Sequence, residues 1–258
     1  MFFFFFNKYN VIINLMVVRS YVMKVLIIIP AYNEEENILK TYNSIMEYNK
    51  KHNTKYDAIV INDGSKDKTE EILVNNKINH IKLVQNLGIG GAVQTGYKYA
   101  FNHDYDIAIQ FDGDGQHDVN YVKDIIKPIE EGKANMVIGS RFIKDDVSEF
   151  KSTKMRRMGI NLISFFIKLK TKKKIYDTTS GFRAVDKKVI ELFTTDYPME
   201  YPEPISSVNV LLKGYKVDEV AVEMKPRTGG VSSISKFKNI YYMINVILSI
   251  IIMKGKRK

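Results

Sequence analysis

The chain has 258 residues, 45% of them hydrophobic, enough to build one large α/β domain and too many for a disordered chain. It contains no cysteine, which excludes disulfides, thiolate metal sites and a cysteine nucleophile, and leaves oxygen or imidazole to hold any metal. A formal net charge of +10 with a pI near 9.4 calls for an anionic partner: nucleic acid, a membrane surface or a phosphorylated substrate.

Residues 1–22 open with Met1-Phe-Phe-Phe-Phe-Phe6 and are interrupted by Lys8 and Arg19. A signal peptide carries its charge first and small residues last, and this stretch is too broken to span a bilayer. It is expected to be an extension outside the fold, read from an upstream start codon, with a short membrane-surface anchor as the alternative. Residues 23–234 are expected to form the folded domain, and 235–258 a basic, amphipathic tail.

From Lys24 a strand and a helix alternate. Val25 to Ile29 is an apolar, β-branched run stopped by Pro30, and Glu34 to Tyr48 has helical spacing with acidic residues in its first turn. Ala58 to Ile61 repeats the strand, Asn62-Asp63-Gly64-Ser65 the turn, and Ser65 or Asp67 can cap a helix to about Val74. A short third strand is predicted over Ile81 to Val84. A helix runs from Gly88 to Phe101, strands follow at Ile107 to Phe111 and Met136 to Gly139, and a helix separates those two. Such a pattern predicts a mostly parallel sheet flanked by helices, with its ligand at the carboxyl ends of the strands.

At one such end stands Asp112-Gly-Asp114-Gly-Gln116-His117. Two carboxylates two residues apart, with glycines beside them, can turn toward one hard divalent cation while the backbone approaches a ligand. An EF-hand loop is excluded, because its sixth and twelfth places would hold His117 and Lys123 instead of glycine and glutamate. His117 is read as a solvated or hydrogen-bonding side chain, outside any metal shell. The glycines at Gly88, Gly90 and Gly91 match no nucleotide fingerprint, since Val93 takes the third glycine place of a dinucleotide motif and Tyr97 the lysine place of a P-loop. They are read as a tight loop that lets a helix pack closely.

Pro30-Ala-Tyr32-Asn33-Glu34, Asn62-Asp63-Gly64-Ser65, Asn86-Leu-Gly88 through Gly96, Asp112-Gly-Asp114-Gly-Gln116-His117, Gly139-Ser-Arg141-Phe and Thr179-Ser-Gly181-Phe-Arg183 occur in this order. Together, from Lys24 to about Ile234, the chain resembles a family 2 glycosyltransferase of the GT-A fold, nearest the dolichol-phosphate-mannose synthase-like, or polyprenyl-phosphate glycosyltransferase, branch. The resemblance implies inverting transfer from a nucleotide-diphosphate sugar, UDP- or GDP-linked. It implies that Pro30, Tyr32, Glu34 and Asp63 hold the base and ribose, and that Asp112 faces the sugar nucleotide. Asp114 and Gln116, with Asp112, would hold Mg²⁺ or Mn²⁺ on the diphosphate, and Arg141 and Arg227 would lie near the phosphates. Arg183 belongs to the implied catalytic set. Two departures stand out: Asn62 replaces the usual second aspartate, and Ser233 stands where the branch has a lysine.

The acceptor turns on a base. A sugar hydroxyl needs a carboxylate to take its proton, whereas a lipid monophosphate is already ionised. Glu203, in Tyr201-Pro-Glu203-Pro204, is the candidate base, with Asp177 a weaker second; as a bland alternative Glu203 is a first-turn carboxylate favouring the helix dipole.

Lys168-Leu-Lys-Thr-Lys-Lys-Lys174 follows the apolar Met158 to Leu169 and is read either as a solvated basic stretch or as one that faces a membrane or contacts a lipid phosphate. In the tail, the apolar core is short and broken by Asn245 and Ser249, with lysines on both sides; an interfacial helix is expected in preference to a span, and packing on the domain is the alternative. Nucleic acid is not expected as a partner. The expected function is transfer to a polyprenyl phosphate by a peripheral enzyme at the cytoplasmic face of a membrane. Transfer to a sugar hydroxyl and a non-catalytic sugar-nucleotide binding module are the alternatives.

Overall fold

A computed structural model of the chain describes residues 23–143, 154–224 and 236–254. Seven strands among these residues form one sheet: β1 (Val25–Ala31), β2 (Asp57–Asn62), β3 (His80–Lys82), β4 (Ile107–Gln110), β5 (Met136–Ser140), β6 (Arg183–Asp186) and β7 (Val217–Ala221). Their order across the sheet is β3-β2-β1-β4-β6-β5-β7. Every pairing is parallel except those of β6, which runs antiparallel to both β4 and β5. The expected mostly parallel sheet is therefore present, with one reversed strand near its middle.

All seven residues of β1 are buried, because the strand is covered on both faces. Leu26 and Ile28 point into one apolar layer, and Val25, Ile27 and Ile29 into the other. Helices α1 (Ile38–His52) and α4 (Val122–Glu130) cover the second face through Ile38, Ile45, Val122, Ile125 and Ile129. The first face is covered by α3 (Gly88–Asn102), α5 (Lys154–Thr171), α6 (Lys187–Thr195), α7 (Pro202–Leu212) and α8 (Lys236–Ile252). The short α2 (Thr69–Asn75) buries Leu73. In α3 a Cβ on Gly96 would lie 2.2 Å from the Ile28 side chain, so this glycine sets how close the helix comes to β1.

Several boundaries differ from the sequence expectation for identifiable reasons. Helix α1 starts at Ile38 rather than Glu34, because Asn33 adopts a left-handed φ of 56° and Glu34 to Asn37 form a turn before the helix. The N–H groups of Glu34 and Glu35 are taken by Thr69 Oγ1 and Asp67 Oδ2, which ties this turn to the start of α2. Asp67 accepts the Thr69 N–H from one residue before the N-cap, Lys68, which has no side-chain cap, and Ser65 accepts from Asn33, so neither expected residue caps this helix. Strand β3 is His80–Lys82, ending before Leu83, and Val84 is fully exposed.

Helix α8 lies on the domain through Val246 and Ile250, with Tyr242 set edge-on against Tyr201. A Cβ on Gly159 of α5 would lie 2.6 Å from Met243 Sδ, so the two helices pack closely there. Lys170 donates from Nζ to the Ile251 carbonyl at 2.8 Å, satisfying an end-of-helix acceptor. Among the described residues no helix is long and apolar enough to cross a membrane.

Candidate active site

The ends of β1, β2 and β4 converge at one edge of the sheet. Pro30 is tolerated in the central β1 because the β4 pairing stops at Ile28↔Gln110, so no N–H is needed from the proline on that side. Gly113 lies directly over this end: a Cβ there would be 3.0 Å from the Pro30 carbonyl oxygen and 3.7 Å from Glu34 Cγ. The Gly113 carbonyl accepts from Thr41 Oγ1 at 3.1 Å, which holds the acidic turn against α1. Pro30, Glu34 and the Asp112–Asp114 turn are thus neighbours, and Tyr32 is exposed beside them.

Asp63 is buried, and burial pushes its carboxyl up while the N–H groups of Leu87 and Gly88 pull it down. Its Oδ1 accepts the Leu87 N–H at 2.7 Å, so it anchors the loop that opens α3. Asn62 donates to Glu70 Oε2 at 2.6 Å and accepts the Ser65 N–H, which gives the asparagine a defined place in the turn. A depression of about 360 Å³ lies on the far side of Glu34, lined by Asn33, Glu34, Glu35, Glu36, Asn37, Lys66 and Asp67. Four carboxylates against one lysine make it a poor seat for phosphates.

Asp112 is partly exposed at the end of β4, while Asp114 is buried and its Oδ1 accepts the Gln116 N–H at 3.1 Å. Gln116 is partly exposed in the same turn. Among the described residues no three His, Asp or Glu side chains converge to form a self-sufficient metal site. Two carboxylates and an amide offer hard oxygens only, a donor set that fits Mg²⁺ or Mn²⁺ arriving with the further oxygens of a diphosphate.

Beneath Asp112 lies a buried polar layer. Arg183, at the start of the reversed strand β6, is almost entirely buried. It donates from Nε to the Ser180 carbonyl at 2.7 Å and from Nη1 to the hydroxyls of Ser206 and Ser207 at 2.9 and 3.1 Å. Its Nη2, with Tyr97 Oη and Gln110 Nε2, finds no hydrogen-bond partner among the described residues. The Oε1 of Gln110 faces the Tyr197 hydroxyl at 3.5 Å, which leaves its amide nitrogen toward Gly181 and Asp112. A Cβ on Gly181 would lie 2.7 and 2.9 Å from the two Asp112 carboxylate oxygens, so the glycine makes room for that carboxylate.

Glu203 stands in the first turn of α7, and burial pushes its carboxyl up; Arg183 opposes that shift and Asp112 adds to it. Asp112, Arg183 and Glu203 therefore share one electrostatic environment. Asp177 does not join them. It is fully buried and accepts from Arg141 Nε at 2.7 Å and Nη2 at 2.8 Å. Burial would push it up, but the Arg141 ion pair and the N–H groups of Arg141 and Thr179 outweigh burial and hold it below the usual carboxylate range. The guanidinium of Arg141, itself buried, also reaches Thr179 Oγ1 at 3.0 Å. Arg227 and Ser233 lie outside the described residues.

One residue of this centre, Gln110, is not singled out by the sequence. Gln110 reads as the last residue of an apolar strand, and only its polarity in a buried run marks it. Of the two expectations for His117, solvated or hydrogen-bonding, the structure has the second: it is buried, accepts the Asp112 N–H, and is stacked on Phe182 at 4.9 Å and edge-on to Phe111 at 5.3 Å.

A mixed α/β sheet that presents a carboxylate pair at its strand ends places hard oxygen donors where open α/β sheets bind their ligands. The model of the family described as glycosyl transferase family 2 matches residues 26–193, and the chain belongs to that family and is a glycosyltransferase. It is 34% identical over 218 residues to a UDP-N-acetylglucosamine–dolichyl-phosphate N-acetylglucosaminyltransferase of Methanococcus voltae, covering 77% of this chain and 84% of the relative. It is 31% identical over 175 residues to a dolichol-phosphate mannosyltransferase of Pyrococcus furiosus, covering 66% of this chain and 48% of that longer protein. Among solved structures, glucosyl-3-phosphoglycerate synthase from Mycobacterium tuberculosis in complex with UDP superimposes with a TM-score of 0.65 at 15% identity, over 90% of this chain and 82% of the other. The same enzyme has been crystallised with Mn²⁺ and UDP-glucose, and the likeness to it is one of fold.

Proposed function

We propose that the chain transfers a sugar, with inversion, from a nucleotide-diphosphate sugar to a polyprenyl phosphate of dolichyl type. The observation that carries this reading is the 34% identity, over most of both chains, to an enzyme whose acceptor is dolichyl phosphate. The site agrees with it. A phosphomonoester is largely ionised near neutral pH, with its second pKa at about 6, so its oxygen attacks the anomeric carbon without giving up a proton. The bond from that carbon to the nucleoside diphosphate breaks on the opposite side. Asp177 is engaged as the counter-ion of Arg141, and Glu203 lies in the field of Arg183; neither is needed to deprotonate such an acceptor.

Asp114, with Asp112 and Gln116, would hold Mg²⁺ or Mn²⁺, which when bound supplies positive charge to the departing diphosphate. Pro30, Tyr32, Glu34 and Asp63 would hold the nucleoside, and Asp112 the sugar. Arg141 acts by fixing the Asp177 loop beside β5, and Arg227 would add a phosphate contact.

The acceptor is a lipid, so the enzyme must work at a membrane surface. One side of α8 is buried on the domain, and the other exposes Tyr241, Ile244, Leu248 and Ile251 at helical spacing. Helix α5, packed beside it, exposes Met158, Leu162, Phe165 and Leu169 in the same way. Lys168, Lys172, Lys173, Lys174 and Lys254 are exposed around these stripes. Apolar faces rimmed by lysines suit the headgroup region of an anionic leaflet, and the cytoplasmic face supplies one.

The deciding experiment incubates the protein with UDP-N-acetylglucosamine, Mn²⁺ and dolichyl phosphate and recovers the lipid. A lipid-linked monosaccharide released by mild acid supports the reading. An acid-stable glycoside formed only with a sugar-hydroxyl acceptor overturns it.

A further inference from the structure

We propose that His117 is a positioning residue for Asp112, holding both the backbone and the carboxylate of that aspartate from one imidazole ring. The Asp112 N–H donates to His117 Nδ1 at 3.0 Å, which requires Nδ1 to be the unprotonated nitrogen. The proton of the neutral ring is then on Nε2, and Nε2 lies 3.4 Å from Asp112 Oδ2. A ring five residues along the chain thus closes back on the aspartate from two directions.

The ring itself cannot swing. It is stacked on Phe182 with an interplanar angle of 20°, stands edge-on to Phe111, and its backbone bridges to Met224. Phe182 is flanked by Gly181, which makes room for the Asp112 carboxylate, and Arg183, which lies beneath it. The same segment that leaves space for the carboxylate therefore also fixes the ring that orients it.

The test uses the full chain and two substitutions. His117→Phe keeps an aromatic ring between Phe111 and Phe182 and removes both polar contacts. His117→Asn places an amide oxygen near the Nδ1 position and can restore the bond to the Asp112 N–H. Binding of UDP and of GDP is followed as a function of Mn²⁺ concentration, alongside turnover of UDP-N-acetylglucosamine with dolichyl phosphate and the melting temperature. Loss of an oriented charged contact is expected to lower kcat about tenfold and to raise the Mn²⁺ concentration needed for nucleotide binding by a similar factor. His117→Asn should recover part of both. In an Asp112→Asn background, His117→Phe should cost little more, because the group it positions is gone.

Nucleotide binding, Mn²⁺ dependence and turnover within twofold of wild type in His117→Phe would overturn the proposal. So would losses that only track a lower folded fraction, or that add fully to those of Asp112→Asn. Where His117→Phe does not fold, His117→Asn alone decides by the same measurements. A wild-type chain that binds nucleotide with Mn²⁺ but does not glycosylate dolichyl phosphate would count against the acceptor proposed above, and the binding comparison would still judge His117.

Discussion

Asp114 would contribute one carboxylate to an oxygen-only donor set. Asp114→Ala should lower transfer by at least about a hundredfold, the usual scale for deleting one electrostatic stabiliser of a developing charge, with a melting temperature close to wild type. Parallel assays of turnover and thermal unfolding check it, and full activity in the variant, or of wild type in excess EDTA, would remove the metal from the mechanism. Glu203→Gln separates the two acceptor classes. With a polyprenyl phosphate the variant should keep substantial turnover, since no proton moves; with a hydroxyl acceptor it should lose about a hundredfold or more. The Asp112–Gln116 run was legible because its spacing carries its chemistry. The environment of His117 was not, because Phe182 is supplied by a segment far along the chain and no local pattern announces that contact.

Among the elements, α8 shows how two readings of a sequence can both describe one helix. Its apolar residues were expected either to lie on a membrane or to pack on the domain. The structure uses Val246 and Ile250 for packing and leaves Leu248 and Ile251 outward, so the periodicity serves a buried and an exposed face at once. Removing the tail near Ser233 would therefore strip part of the core as well as the exposed stripe. Placing carboxylates on the outer face is the cleaner probe. Leu248→Glu combined with Phe165→Glu should abolish sedimentation with anionic liposomes while the melting temperature stays near wild type, and unchanged sedimentation would defeat the membrane face. The strand pattern was readable from apolar runs, and the reversed direction of β6 was not, since strand polarity in a sheet is settled by pairing partners rather than by the strand's own four residues.

Over the whole molecule, one chain of contacts ties the far half of the sheet together. Glu219 on β7 accepts the N–H groups of Tyr176 and Asp177 at 2.8 and 2.9 Å, and Asp177 in turn holds Arg141 after β5. Arg141→Met would leave Asp177 as an uncompensated buried anion and should cost about 3–5 kcal/mol in urea unfolding. Converting both partners, with Asp177→Asn, should recover much of that loss. The pair also gives a direction with pH. Asp177 is held below the usual carboxylate range in the folded state, so its contribution is complete above the unfolded value of about 3.9 and disappears as pH falls through the lower folded value. Acid unfolding of Arg141→Met should accordingly begin at higher pH than that of wild type. An unchanged acid midpoint would show that the pair contributes nothing to the balance.

Gly181 gives the enzyme a point at which its chemistry can be jammed with no polar atom removed. A single methyl there would meet both oxygens of Asp112 at under 3 Å and the Gln110 amide nitrogen at 3.1 Å, so Gly181→Ala must push the carboxylate off its mark. The ends of β1 and β2, which in the proposed reading hold the nucleoside, are not among the nearest atoms such a methyl would meet and would still accept their ligand. On the proposed reading such a protein should still bind nucleotide sugar, at a higher Mn²⁺ concentration than wild type, and leave it intact, holding donor and lipid acceptor together long enough for the stalled assembly to be isolated.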